Sequence, residues 1–148
     1  MSGAHGSQRD QDHLAKSATA TLVNNATIFN VDGEIQIISL HAMCMTDNDA
    51  TASTLQFKAV PDVGASTTIS GVSASLANLT AGAVVVMAGA ALATAPIIGA
   101  AGISLNTTPR GVIVPTGTIA INVGVGPTTG AWHFHLRYEP LEEGASVS

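Results

Sequence analysis

The sequence predicts an all-β protein: a single antiparallel β-sandwich, close to a jelly roll, with about eight strands and a flexible N-terminal arm. Three observations predict it. Residues 131–138 alternate without a fault, with Trp132, Phe134, Leu136 and Tyr138 on one face and His133, His135 and Arg137 on the other. Side chains of an extended chain change face at every residue, so this is a half-buried strand, and it holds the chain's one Trp and one Tyr. Short apolar runs then recur along the chain with Gly or Pro between them. No amphipathic helical pattern exceeds two turns.

A chain of 148 residues makes one domain with a sizeable core. We divide it into an arm at 1–17, a sandwich at 18–140 and an acidic tail at 141–148. The arm has Leu14 as its one large aliphatic residue beyond Met1, too little apolar area to offset the entropy of ordering it. Its Arg9, Asp10, Asp12, Leu14 and Lys16 are the candidate contacts to a partner.

Charge is scarce. Asp, Glu, Lys and Arg make up 10% of the residues, where about a quarter is usual. Between Asp62 and Arg110 there is none. A surface so poor in charge is expected to be covered in an assembly, most simply a homotrimer. The net charge of −5 and the lack of any basic run argue against nucleic acid as a partner. The single Cys44 forms no intrachain disulfide, and its apolar neighbours make it a buried thiol. No signal peptide is visible, so synthesis in a reducing cytoplasm is expected.

The strands follow in order. Leu22-Val23 and Ile28-Phe29 mark two short strands, or one broken at Asn24-Asn25. Asp32-Gly33 is a hairpin signal, because Gly accepts the positive φ of a tight turn. Residues 34–46 form a long strand whose apolar phase slips at Ile37-Ile38, which predicts a β-bulge or cover on both faces. Asp47-Asn48-Asp49 is a turn. It lacks the Gly and terminal Glu of a calcium loop. Residues 54–60 put Leu55, Phe57 and Ala59 inward, and Pro61-Asp62 ends them. Thr67-Thr68-Ile69 is a short strand, and Leu76 and Leu79 allow one helical turn.

The apolar run 83–102 has the length to cross a bilayer, but Gly and Ala dominate it, Pro96 interrupts it and no Lys or Arg flanks it. Its β-branched Val84-Val85-Val86 favours two buried strands, 83–87 and 96–98, and no membrane partner. Residues 111–138 are expected to form a three-strand antiparallel meander, turning at Pro115-Thr116-Gly117 and again at 126–130.

Catalytic signatures are absent. There is no Gly-x-Ser-x-Gly, and Gly99 to Gly102 lacks the Lys of a phosphate loop. His133 and His135 share a strand face, a spacing that suits two ligands of one metal, and His41 approaches them if its strand pairs with theirs. A cupin would add a Glu soon after the His pair and a later His; Glu139 stands four beyond His135 and no later His exists. We therefore expect no enzyme, no cofactor and no metal. A cupin-like metal enzyme using His133 and His135 is the alternative.

The ending from Trp132-His133-Phe134 through Tyr138-Glu139-Pro140-Leu141 to Glu142-Glu143-Gly144-Ala145 resembles small tailed-bacteriophage virion proteins. The 31–46 segment and 111–122, with its Pro-Thr-Gly turn, are similar to the same group. The resemblance spans about residues 19–148. It implies a capsid decoration, or cement, protein: a β-rich trimer on the outside of a phage head, bound to the major capsid protein. A tail or fibre component is the variant within the same class. The resemblance supplies no catalytic residue.

Overall fold

The computed structural model describes residues 14–88, 92–99 and 112–148. Among them there is no helix, and eleven strands build two packed antiparallel sheets. They are β1 (Leu14–Thr21), β2 (Thr27–Asp32), β3 (Ile35–Cys44), β4 (Thr54–Pro61), β5 (Thr67–Thr68), β6 (Val84–Val86), β7 (Ile97–Gly99), β8 (Val112–Val114), β9 (Gly117–Gly124), β10 (Ala131–Pro140) and β11 (Ser146–Val147). Sheet A runs β1-β10-β3-β6-β7, with β8 also on β3. Sheet B runs β11-β2-β9-β4-β5.

The pairings are nested. β1 joins β10, β2 joins β9, β3 joins β6 and β4 joins β5, while β10 also joins β3 and β9 also joins β4. That is one long antiparallel hairpin folded over on itself, the jelly-roll topology. Its interior is apolar. Trp132, Phe134, Leu136 and Tyr138 project from β10 toward Leu55 and Phe57 of β4, and Phe134 meets Phe57 edge to face at 6.5 Å and 89°. This contact joins the two layers with the geometry aromatic quadrupoles favour.

Several local expectations are corrected. Asp32-Gly33 is not a hairpin: β2 lies in sheet B and β3 in sheet A, so the turn carries the chain between layers. Gly33 does adopt φ +84°, and a Cβ there would come within 2.8 Å of the Ala145 Cβ. The 111–138 meander is not formed either. β8 is in sheet A, β9 in sheet B and β10 in sheet A again. A turn of a few residues between Gly-rich strands can close a hairpin or step across a sandwich about 10 Å thick, and alternation looks the same in both cases. Leu76 to Leu79 makes a single turn, Leu79 N–H to Leu76 O, not a helical one.

Two boundaries also move. β1 starts at Leu14, so residues 14–17 of the expected arm are strand, held along β10 from Leu14 opposite Tyr138 to Thr21 opposite Ala131. The tail is no free tail. Ser146–Val147 adds to β2, Ser148 and Asn30 exchange backbone hydrogen bonds, and the Tyr138 hydroxyl accepts from Val147 N–H at 3.2 Å. Ala145 and Val147 are buried there.

The phase slip in β3 is a bulge. Ser39 faces Arg137 and Ile37 faces Tyr138, leaving Ile38 as the extra residue. Ile35 and Ile37 before it, and Leu40, Ala42 and Cys44 after it, all reach the core. The exposed edge of β4 is blunted by hydroxyls rather than by a long strand. Ser70 Oγ accepts from Phe57 N–H and Ser73 Oγ from Leu55 N–H. This leaves little free edge for another chain to pair with.

A candidate oxyanion site on the outer face of sheet A

The alternation of β10 puts His133, His135 and Arg137 on the face opposite the core. Strand pairing supplies their neighbours. Across one row, Ser17 of β1, His135 of β10 and His41 of β3 are in register; in the next row stand Ala15, Arg137 and Ser39. His133 has Thr19 and Met43 as its cross-strand partners. His41 and His135 stack with ring centroids 4.8 Å apart and planes 26° from parallel, and His133 lies 4.5 Å from His135. The sequence expectation that His41 joins the pair if the strands pair is met.

Small side chains beside large ones leave a depression. Ala15, Ser17 and Ser39 sit low between Arg137, His135 and His41, and with Lys16 and Leu136 they line a pocket of about 470 Å³. Burial, then His135, then His133 hold the His41 imidazole below its ordinary pKa. Burial and His133 do the same to His135. Each shift disfavours the charged ring: a desolvated imidazole loses hydration, and a second cation close by repels the first. No acid lines the pocket. Among the described residues neither Lys16 nor Arg137 forms an ion pair.

These histidines are on the open outer face of sheet A. They lie outside the sandwich, whose interior between the sheets is filled by apolar side chains. Among the described residues no group of three His, Cys, Asp or Glu is arranged to hold a metal ion. The rings stack on one another rather than converge on a point.

The other expected site residues are dispersed. Arg9, Asp10 and Asp12 lie outside the described residues. Leu14 packs partly buried against the core, and Lys16 is at the pocket rim. Trp132, Phe134, Leu136 and Tyr138 are core, as expected, with exposures of 4% or less. Ser17, Ser39 and Ala15 escaped sequence reasoning, because nothing in a strand's own sequence names its partner strand. Arg137 carried a signal, the shared face with the His pair.

The acids of the 47–49 turn are used internally. Asp47 accepts from Ala81 N–H, and Asp49 from Thr51 N–H and from the backbone and hydroxyl of Thr129. Those hydrogen bonds, Thr51 first, hold the Asp49 carboxyl below its usual range. A second pocket of about 350 Å³ at one end of the sandwich is lined by Glu34, Asp62 and Glu142 with Pro61, Val63, Pro115 and Thr116.

A different region carries exposed apolar side chains. Gly71 N–H donates to Thr94 O at 2.8 Å, which sets the Val72 loop against the segment bearing Leu92 and Ile97. Val72, Leu92 and Ile97 are 52%, 47% and 40% exposed, inside the stretch that has no charge. No helix among the described residues is long and apolar enough to cross a membrane.

No family model matches the sequence, and no curated protein matches it. Among solved structures, a chain titled "Structure of infectious bursal disease virus Gx strain" is similar at 14% identity with a TM-score of 0.23. The likeness covers 93% of this chain and 36% of that one, and neither fold nor role is transferred on it.

Proposed function

We propose that the protein is a structural subunit of a virion, of the capsid decoration type, and that it has no catalytic role. The observation that carries the reading is the charge-free stretch 63–109, which exposes Val72, Leu92 and Ile97 on a jelly-roll sandwich. A monomer would normally cover such a surface with Lys and Glu, and this chain has no charged residue from 63 to 109 with which to do so. The resemblance of its C-terminal segment to tailed-phage virion proteins points the same way. In this reading the partners are the major capsid protein and two further copies of the chain, on the outer surface of a phage head.

The test is assembly. Leu92→Asp with Ile97→Asp is expected to leave the sandwich folded, because both side chains are largely exposed, and to abolish trimers in sedimentation and binding to purified shells. The protein is also expected in the mass-spectrometric protein content of purified virions. A wild-type chain that stays monomeric both free and with shells overturns the proposal.

A further inference from the structure

We infer that the pocket between β1, β10 and β3 is an oxyanion site, which takes a phosphate or carboxylate group against Arg137, His135, His41, Ser17 and Ser39. The inference does not depend on the virion reading.

Its first ground is composition. The whole chain has five Lys and Arg and five His against ten Asp and Glu. One of those five cations, Arg137, and two of those five histidines present their side chains on this face, with two serine hydroxyls, and no carboxylate lines the pocket. Its second ground is register. Ser17, His135 and His41 stand side by side on three neighbouring strands, about 4.8 Å apart from strand to strand. Arg137 is two residues along β10, about 7 Å from His135, on the same face. Donors spaced this way surround a group a few ångströms wide, and the guanidinium offers the two parallel N–H bonds that planar or tetrahedral oxyanions accept.

Third, these groups lack hydrogen-bond and ion-pair partners among the described residues. Among the described residues, no hydrogen bond or ion pair engages the side chains of Ser17, Ser39, His41, His135 or Arg137, although the fold uses its other polar residues closely. The charged and titratable groups on this face are His133, His135, Arg137 and Glu139 from β10 and His41 from β3, while Lys16 of β1, opposite Leu136, is on the other face. Val86 of β6, opposite His41, brings none. Glu139 follows Arg137 on the same face but does not line the pocket. A bound anion supplies the missing charge and favours protonated imidazoles, so binding strengthens as pH falls from 8 to 6.

The experiment follows the histidine ring signals by NMR while the full-length protein is titrated, in separate arms, with inorganic phosphate, with acetate and with chloride at matched ionic strength. Saturable shifts of His41 and His135 with phosphate or acetate, beyond chloride, are expected. The stronger arm identifies which oxyanion the site takes. Arg137→Gln is expected to weaken binding at least about tenfold, as loss of a charged donor does. Lys58→Gln, on sheet B, leaves it unchanged. If both anions act like chloride, or if Lys58→Gln weakens binding as much as Arg137→Gln, the assignment is wrong.

Discussion

Gly33→Ala tests how the C-terminal segment is held. Gly33 has φ +84°, and an added Cβ would lie 2.8 Å from the Ala145 Cβ and 2.9 Å from its Cα. Two costs follow. The left-handed backbone costs an L residue about 1–2 kcal/mol. The clash is with backbone as well as side chain, so it is relieved by displacing residues 145–148. That gives up the burial of Val147, worth about 1.5–3 kcal/mol, and the hydrogen bonds joining Ser148 to Asn30 and Val147 to Tyr138. A total of about 3–5 kcal/mol is expected by urea unfolding. In a chain ending at Gly144 the clash disappears, and the same substitution should cost only the backbone part, about 1–2 kcal/mol. Hydrogen exchange supplies an independent check, because the Asn30 amide should lose protection in Gly33→Ala. Equal cost in the full and shortened chains would refute the steric argument.

Further outcomes follow from the core and the titrating groups. Trp132→Ala should cost about 3–5 kcal/mol in urea unfolding. Trp132→Phe should cost much less, because the buried indole N–H has no protein acceptor to lose. His41 and His135 have folded pKa values depressed chiefly by burial, so the unfolded chain binds protons more readily. Their contribution is complete above the unfolded value of about 6.5 and is lost as pH falls below it. In buffer without oxyanions the urea midpoint should therefore drop between pH 7.5 and 5.5, and drop less in the His41→Asn, His135→Asn double variant; an equal drop in both would count against it. Cys44 is fully buried, its thiol pKa is raised first by burial, and its Sγ–H donates to Thr46 O. It should resist thiol reagents until the protein unfolds, and rapid labelling of native protein would contradict this.

The strands were legible because alternation is a local property. Leu55, Phe57 and Ala59, the bulge at Ile38 and the aromatic face of β10 all follow from residues within one run. Partner choice was not legible. Asp32-Gly33 and Pro115-Thr116 have the chemistry of tight turns, yet both cross between layers, since what decides is which apolar faces must meet. The serines at 70 and 73 look like loop filler until their hydroxyls are seen capping the amides of Phe57 and Leu55. The histidine cluster was half legible: His133 and His135 declare a shared face, but their place beside His41, Ser17 and Ser39 depends on pairings between distant segments.

The nested order of strand pairs also has a consequence in time. During synthesis β1 emerges long before its neighbour β10, more than a hundred residues later, and β2 likewise precedes β9. Only β4 with β5 and β6 with β7 are close enough to meet early, and they share two and three residue pairs. The layers therefore close late and from the inside outward, from β4 with β5 to β1 with β10. Long-range pairing of this kind makes folding slow. Until it finishes, Leu14–Thr21 and the edge of Ile35–Cys44 that β10 will cover are unpaired in a crowded cell, and chaperone dependence should track the release of residues 131–140 from the ribosome.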